Sequence, residues 1–256
     1  MSNQLSFDAL LAPETPAQCA PHMTPREARK QFIKTFSAIA TYHRRLDVFR
    51  DFIRLAANEL DLARVRSEEG REEAVQICKR YEAVDLQRMQ QLFCFLIGAM
   101  EGGMDDLLGG IFMELEFGSS SMGQFFTPCE VSRLIAALTL GDHVKELEHR
   151  PFITLDEPAS GSGGMVIAVA EHLLSKGYNP QQVLYIRCTD IDPLAADMCF
   201  IQLALLGLPA SVYTGNTLTM KMSRVRHTPI YYANDWSERL RMVDMVTKFK
   251  TLLHAV

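Results

Sequence analysis

A glycine-rich turn between an apolar strand and an apolar helix is the feature that most constrains this chain of 256 residues. The strand pattern covers 152–155, the turn follows at 156–164, and Ala, Val and Ile then recur as in a buried helix. Glycines let the backbone approach a ligand that a Cβ would exclude, and the helix directs its positive N-terminal end at the same place. The segment predicts a site for a small anionic or nucleoside ligand, although glycines that only form a tight turn would give the same pattern.

The turn differs from the usual dinucleotide-binding fingerprint. That fingerprint has glycine at its first, third and sixth positions, and Val166 stands at the sixth position after Gly161 and Gly163. The sequence therefore predicts a strand–turn–helix ligand site that is not typical of NAD enzymes.

A second strand with an acidic end supports a nucleoside ligand. Residues 182–188 have a strand pattern that stops before Asp190, and Pro193 can open the next helix. In a βαβ unit this places Asp190 beside the glycine-rich turn, where a carboxylate accepts hydrogen bonds from ribose hydroxyls. Capping of the helix is the alternative role, and Asp192 is the better placed of the two acids for it.

Three ordered segments resemble the adenine-N6 DNA methyltransferases, particularly the modification subunits of type I restriction-modification systems. They are Gly-Gln-Phe-Phe-Thr-Pro at 123–128, Glu-Pro-Ala-Ser-Gly-Ser-Gly-Gly at 157–164 and Gly-Asn-Thr-Leu at 215–218. That family has Cys where Ser160 stands and Asp where Asn216 stands. Residues 106–114 also resemble the short helix that precedes the first segment in the family. The resemblance covers roughly residues 105–218.

The resemblance implies an α/β fold, with a Rossmann-like S-adenosylmethionine-dependent methyltransferase core, a partial sheet and an N-terminal helical region. It implies S-adenosyl-L-methionine as the cofactor. Glu157 would lie near its amino group, Asp190 would hold the ribose, Ile191 would pack on the adenine, and Asn216 would meet the exocyclic amine unless it only serves the turn after Gly215. The full implied donor site consists of Phe125, Phe126, Thr127, Pro128, Glu157, Gly161, Ser162, Gly163, Asp190, Ile191 and Asn216.

The segment that would position a target base departs from the family pattern. These enzymes carry an Asp/Asn-Pro-Pro-aromatic segment that holds the exocyclic amine of an extruded adenine and stacks on its ring. The nearest candidate here is 229–236, in which Asn234 and Trp236 are the catalytic candidates and both prolines of the motif are absent. The alternative is that Trp236 anchors the C-terminal helix to the sheet.

Two functions are consistent with this sequence. One is S-adenosylmethionine-dependent adenine methylation of DNA in a restriction-modification process, either through the Asn234 segment or with a protein partner that supplies the missing half of the catalytic domain. The other is a non-catalytic relative that retains cofactor binding and acts as a regulator or subunit. Methylation of small molecules or proteins is less favoured, because those enzymes generally lack the Gly-Gln-Phe-Thr-Pro segment.

Composition predicts a cytoplasmic protein with a sizeable core. Hydrophobic residues make up 48% of the chain, no apolar run has membrane-spanning length, and the N-terminus lacks the pattern of a secretion signal. The six cysteines are scattered without a Cys-x-x-Cys pair, which predicts free thiols and no metal site. Basic residues concentrate on the flanks, as Arg44, Arg45, Arg50 and Arg54 on one side and Lys221, Arg224, Arg226 and His227 on the other. They could contact DNA, but interleaved acids favour helical ion pairs at the surface.

The chain divides into a flexible arm (1–23), a helical N-terminal region (24–122) and a partial methyltransferase-like domain (123–256). Helices are predicted over 24–62, 72–100, 104–117, 128–140, 165–175, 194–206 and 237–254, with a Gly/Ser connection at 118–122. Strands are predicted over 152–155, 182–188 and 211–214. Right-handed βαβ connections predict that these three strands lie in the order 3-2-1.

Overall fold

The computed structural model describes residues 23–62, 67–117 and 126–254. The N-terminal part has five helices within these ranges: α1 Pro25–Ala38, α2 Arg45–Leu62, α3 Glu68–Cys78, α4 Ala83–Met100 and α5 Leu107–Glu114. Helix α6 (Cys129–Leu140) and a 3₁₀ helix (Gly141–Glu148) lead into the sheet. The predicted Gly/Ser connection and nearly all of the predicted arm lie outside the described residues.

Each of the two long helices predicted in this region is in fact two helices. Thr24 and Glu27 form the expected capping box at the start of α1. The helix then ends before Ala40, whose φ of 40° is left-handed and whose N–H donates to Asp85 Oδ1 at 3.0 Å. A buried carboxylate from another helix thus takes the backbone N–H that a continuous helix would use. The predicted helix at 72–100 is likewise divided between α3 and α4.

The sheet has four strands in the order β1-β2-β3-β4. The elements are β1 Ile153–Glu157, α7 Gly164–Ser175, α8 Pro180–Val183, β2 Leu184–Asp190, α9 Pro193–Leu205, β3 Ala210–Asn216 and β4 Lys221–His227. The first three strands are parallel, which confirms the predicted α/β class and strand order. Strand β4 is antiparallel to β3 and was not predicted, because its charged sequence reads as a basic surface segment. An edge strand accepts such residues.

One hydrophobic cluster runs through both the helical region and the sheet. Helix α9 contacts β2 and β3 on one side and α2 on the other, so it is buried around most of its circumference. Large fully buried side chains come from both parts, including Phe36 and Phe52 in the helical region and Phe200 in α9. The helical region therefore covers the sheet's helices and shares their core.

The C-terminal part consists of α10 (Pro229–Ala233) and α11 (Trp236–His254). The Trp236 side chain is fully buried and contacts Phe152 and Tyr185, with ring centroids 5.0 and 5.7 Å away. Along β2, the Tyr185 side chain points to the face opposite that of its neighbours Leu184 and Ile186. Those two side chains belong to the core on the α9 side. Trp236 thus covers the opposite face of the sheet. None of the described helices is sufficiently long and apolar to span a membrane.

Candidate functional site

Three polar residues end the parallel strands at the carboxyl edge of the sheet. Glu157 ends β1, Asp190 ends β2 and Asn216 ends β3, and the strand register places these ends at the same edge. In open α/β sheets, ligands bind in the crevice outside this edge. The structure therefore brings together the acids and the amide that the sequence predicted for one site.

The glycine-rich turn lies against this edge and most of its N–H groups have protein acceptors. Gly161 has a φ of 54°, and its N–H donates to Asp190 Oδ2 at 2.7 Å. The Ser160 N–H donates to the Thr189 carbonyl, and the Gly163 N–H donates to the Ser160 carbonyl. A phosphate cradle needs such N–H groups to be free. Of the two ligand classes predicted from the turn, the geometry therefore favours a nucleoside over an anion.

Both acids at the edge are in an environment that disfavours their charge. Burial raises the pKa of Asp190, while N–H donation from Asp192 and Gly161 acts in the opposite direction. Burial also raises the pKa of Glu157; N–H donation from Ala159 acts in the opposite direction, and the nearby charges of Asp156 and Asp190 add to the rise. Within the described chain, neither acid forms an ion pair with Lys or Arg. A ligand with positive charge and hydroxyl donors would satisfy both carboxylates.

Aromatic and apolar side chains flank the turn. The Phe126 ring lies so close to Gly161 that a Cβ there would stand 3.1 Å from it, and Phe126 also contacts Phe112 edge-on. Ile191 is 68% exposed directly after Asp190, where it is free to cover a flat ligand. Thr127 and Pro128 are exposed before α6, and Phe125 lies outside the described residues.

Asn216 has the turn role that the sequence left open as its alternative. Its Oδ1 accepts the N–H groups of Leu218 and Thr219 at 2.9 and 3.1 Å. Thr217 then donates through Oγ1 to the Pro158 carbonyl at 2.7 Å, which joins the end of β3 to the glycine-rich turn. Both N–H groups occupy Asn216 Oδ1. The Asn216 side chain therefore shapes the edge by fixing the backbone of the turn after β3.

A buried hydrogen-bond network behind the turn was not recognised in the sequence. Gln202 of α9 donates to the Ser162 carbonyl and to Asp106 Oδ1, both at 2.8 Å. Ser162 Oγ donates to Asp106 Oδ2 at 2.5 Å. Gln202 and Asp197 are the two polar residues of the otherwise apolar helix α9, and this was the only sequence signal for Gln202. The network connects the helical region to the ligand site.

Asn234 and Trp236 lie at the opposite end of the sheet from this site. Strand β4 runs back along β3, so His227 pairs with Ser211 at the beginning of β3 and the chain continues from the amino edge. Asn234 Nδ2 donates to the Gln181 carbonyl, just before β2, and Trp236 is fully buried. A ring in this position has no face available to a base. This placement corrects the catalytic interpretation and supports the alternative, in which Trp236 anchors the C-terminal helix.

The predicted basic flanks are largely neutralised within the protein. Arg226 is 5% exposed in its side chain and bonds to Asn58, Asp61 and Asp197. Arg54 contacts Asp197 and Glu73, and Arg224 contacts Glu73. Arg50 pairs with Asp47 three residues earlier, as the interleaved acids predicted. Most of these cations connect segments of the chain, and so they do not form a continuous basic face.

Comparison with known proteins gives a family match over the second part of the chain. The sequence model described as N-6 DNA Methylase matches residues 109–248. Among solved structures, a crystal structure described as that of a class I S-adenosylmethionine-dependent methyltransferase from Listeria monocytogenes is similar, with 15% identity and a TM-score of 0.41. The alignment covers 75% of this chain and 55% of that one, so the chain spans about half the length of that structure. No curated protein sequence matches.

Proposed function

Because the chain belongs to the N-6 DNA methylase family, we propose that it binds S-adenosylmethionine at the carboxyl edge of its sheet and takes part in adenine-N6 methylation of DNA. Methyltransferase function, an α/β methyltransferase core and S-adenosylmethionine as cofactor come with the family. The residues that contact the cofactor, the DNA substrate and a restriction-modification context are the parts that we propose for this chain.

One observation carries the proposal: the turn is enclosed by carboxylates and has few free N–H groups. Gly161 already donates to Asp190, and Glu157 adjoins them without a basic partner among the described residues. Phosphates would meet repulsion here. S-adenosylmethionine has no phosphate, carries positive charge on its ammonium and sulfonium groups, and presents ribose hydroxyls as donors, so the residues present fit it.

Each residue at the edge has a definite role in this proposal. S-adenosylmethionine, when bound, supplies an electrophilic methyl group on a sulfonium sulfur. Asp190 accepts hydrogen bonds from the ribose hydroxyls, and Glu157 attracts the ammonium group. The turn stays close to the ligand through Gly161, Ser162 and Gly163. The methionine part of the ligand is bordered by Phe126, Thr127 and Pro128. Ile191 covers the adenine. We include Phe125 on the sequence resemblance alone.

A second candidate function is favoured by the position of the C-terminal segment. Methyl transfer to adenine requires acceptors that orient the exocyclic amine, and positioning supplies much of the rate. Asn234 and Trp236 are at the amino edge and do not supply them. Either a protein partner contributes these groups, or the protein is a non-catalytic regulator or subunit that retains cofactor binding.

Calorimetric titration and a transfer assay test both candidates. Titration with S-adenosylmethionine and S-adenosylhomocysteine measures binding, with ATP and NAD as phosphate-bearing comparisons. Transfer of a radiolabelled methyl group to adenine-containing duplex DNA measures activity. We expect both adenosyl ligands to bind and ATP and NAD to bind far more weakly.

The outcomes separate the candidates. Transfer by the purified chain supports the enzyme, whereas binding without transfer selects the partner-dependent or non-catalytic candidate. Absence of binding by both adenosyl ligands overturns the proposal. Asn234→Ala should change neither binding nor transfer, and loss of transfer in this variant would restore the catalytic interpretation of that segment.

A further inference from the structure

We propose that Asp106 and Gln202 are positioning residues for the methyl-donor site, which hold the glycine-rich turn in its ligand-binding conformation from behind. This inference rests on the proposed function, because it assumes that the turn binds the donor. Gln202 is fully buried, Asp106 is half-buried, and both form hydrogen bonds with Ser162. Their effect on the ligand is transmitted through Ser162, the residue between the two glycines of the turn.

Gln202 uses both ends of its amide in this network. Its Nε2 donates to the Ser162 carbonyl and Asp106 Oδ1, and its Oε1 accepts the Leu108 N–H at 2.9 Å. The side chain is fully buried, so water does not replace a bond that is lost. A single amide therefore ties α9, the first turn of α5 and the glycine-rich turn together.

Asp106 is the acceptor at the centre of the network. Its Oδ1 also accepts the Gly109 N–H at 2.9 Å, which caps α5, while Oδ2 accepts Ser162 Oγ. Helix α5 approaches the turn this closely only because residue 109 is glycine. A Cβ at Gly109 would stand 2.2 Å from Asp106 Oδ2 and 2.5 Å from Ser162 Oγ.

The Asp106 carboxylate also lies beside the N-terminus of α7, the helix that follows the turn. A Cβ at Gly164, the first residue of α7, would be 3.0 Å from Asp106 Oδ2. The negative charge therefore offsets the positive ends of α5 and α7 together. Removing it would loosen Ser162 and leave the N-terminus of α7 uncompensated beneath the donor.

A double-mutant cycle on donor affinity tests this inference. The variants are Asp106→Asn, Ser162→Ala, their combination and Gln202→Met, which keeps the volume of Gln202 and removes its hydrogen bonds. Each single change should weaken S-adenosylmethionine binding about tenfold, as expected for a lost hydrogen bond to a charged or buried group. The double variant should be clearly less impaired than the product of the two single effects, because both disrupt the same contact.

The matched control is Tyr81→Phe in the helical region. It removes a buried hydrogen bond from Tyr81 to Asp51 of 2.6 Å that has no contact with the turn. The control should lower the melting temperature without changing donor affinity more than about twofold. Hydrogen exchange of the peptide spanning 158–165 gives a second measurement. Exchange should accelerate in Asp106→Asn and Gln202→Met while the core helices stay protected.

The results distinguish the inference from the proposed function. If the unmodified protein does not bind S-adenosylmethionine, the proposed function fails. If it binds, and the folded Asp106→Asn protein binds equally well with unchanged exchange in the turn, the inference fails and the proposed function stands. Should Gln202→Met not fold, Asp106→Asn and Ser162→Ala still decide the question.

Discussion

At the scale of single residues, Asp190 combines a structural role with its proposed ligand role. Its Oδ2 accepts the Gly161 N–H and its Oδ1 accepts the Asp192 N–H at 2.9 Å. The sequence predicted the position of this acid but gave no sign of these two bonds. Because a carboxylate oxygen accepts more than one hydrogen bond, Asp190 can fix the turn and still receive ribose hydroxyls.

Replacing Asp190 should weaken donor binding and alter its pH dependence. In Asp190→Asn one acceptor becomes a donor, and we expect about a tenfold loss of S-adenosylmethionine affinity. Burial raises the pKa of Asp190, so the unmodified protein should lose affinity on acidification at a higher pH than an ordinary aspartate would cause. The variant should lose that part of the pH dependence. Calorimetry over a pH series measures both effects.

Asp192→Asn is the matched control for this change. Asp192 accepts the Leu194 N–H as the N-cap of α9, and asparagine caps a helix nearly as well. Donor affinity should therefore be retained. Equal losses in the two variants would contradict the assignment of Asp190 to the ligand.

A pair of glycines separates backbone strain from disruption of the site. Gly161 and Gly177 both have positive φ, 54° and 86°, but a Cβ at Gly161 meets the Phe126 ring and one at Gly177 meets nothing within 4 Å. Each change to alanine should cost about 1–2 kcal/mol of unfolding free energy. Only Gly161→Ala should also weaken donor binding, because the Phe126 ring must move. Denaturant unfolding measures the stability of each variant, and calorimetry measures its donor affinity. Equal donor affinities of Gly161→Ala and Gly177→Ala would refute a ligand role for Gly161 and Phe126.

At the scale of secondary-structure elements, the C-terminal segment is an anchor. Trp236 contacts Phe152 and Tyr185, and the Arg239 guanidinium carbon lies 3.8 Å from the Trp236 ring centroid. Arg239 also donates to the Gln182 carbonyl at 2.6 Å. These contacts fix the start of α11 on the sheet face opposite α9.

Trp236→Ala should destabilise the protein without affecting the ligand site. Loss of a fully buried tryptophan costs about 3–5 kcal/mol of unfolding free energy, whereas Asn234→Ala should cost about 1 kcal/mol or less because its bond of 3.3 Å is long. Unfolding in denaturant measures both changes. The folded Trp236→Ala protein should bind S-adenosylmethionine like the unmodified protein, and a specific loss of affinity would show that the anchor communicates with the carboxyl edge.

At the scale of the whole molecule, a buried ionic cluster joins the helical region to the sheet. Arg226 of β4 bonds to Asn58 and Asp61 of α2 and contacts Asp197 of α9, while Arg54 of α2 contacts Asp197 at 3.1 Å. These residues lie in three elements, and α2 is far from α9 and β4 in the sequence. Removing one partner would leave a buried charge without compensation, which is strongly destabilising.

Asp197 should make stability depend on pH. Burial raises the pKa of Asp197 from 3.8 to about 6, although Arg54 and Arg226 act in the opposite direction. Between these values the folded protein binds a proton that the unfolded chain does not, so this stabilising contribution is complete below about pH 4 and is lost as the pH rises through about 6. The stability of the unmodified protein relative to Asp197→Asn should fall by about 2–3 kcal/mol between pH 4 and 7.

Denaturant unfolding of both proteins across this pH range measures the difference. The control is Asp47→Asn, which alters an exposed pair with Arg50. The stability of the unmodified protein relative to this control should stay nearly constant with pH. A constant difference for Asp197→Asn as well would show that the two arginines keep Asp197 ionised throughout.

The sequence by itself determined the α/β class, the order of the first three strands and the convergence of Glu157, Asp190 and the glycine-rich turn. These follow from local patterns, because alternating burial, Gly and Pro positions and strand-end acids specify a βαβ unit without knowledge of distant residues. The hydrogen bonds of Asn216 to its own turn are also local, and the sequence offered that role as an alternative.

Only the tertiary structure decided which polar residues serve the site and which hold the fold. Asp106 and Gln202 bond to each other although they are separated by about a hundred positions in the chain. Arg226 is buried, although its charge predicts a surface position. Strand β4 runs back along β3, so Trp236 lies away from the carboxyl edge. Burial of a charge or an amide is tolerated only when the group has an ion-pair or hydrogen-bond partner. The partner's position depends on how distant elements pack, and no local pattern contains that information.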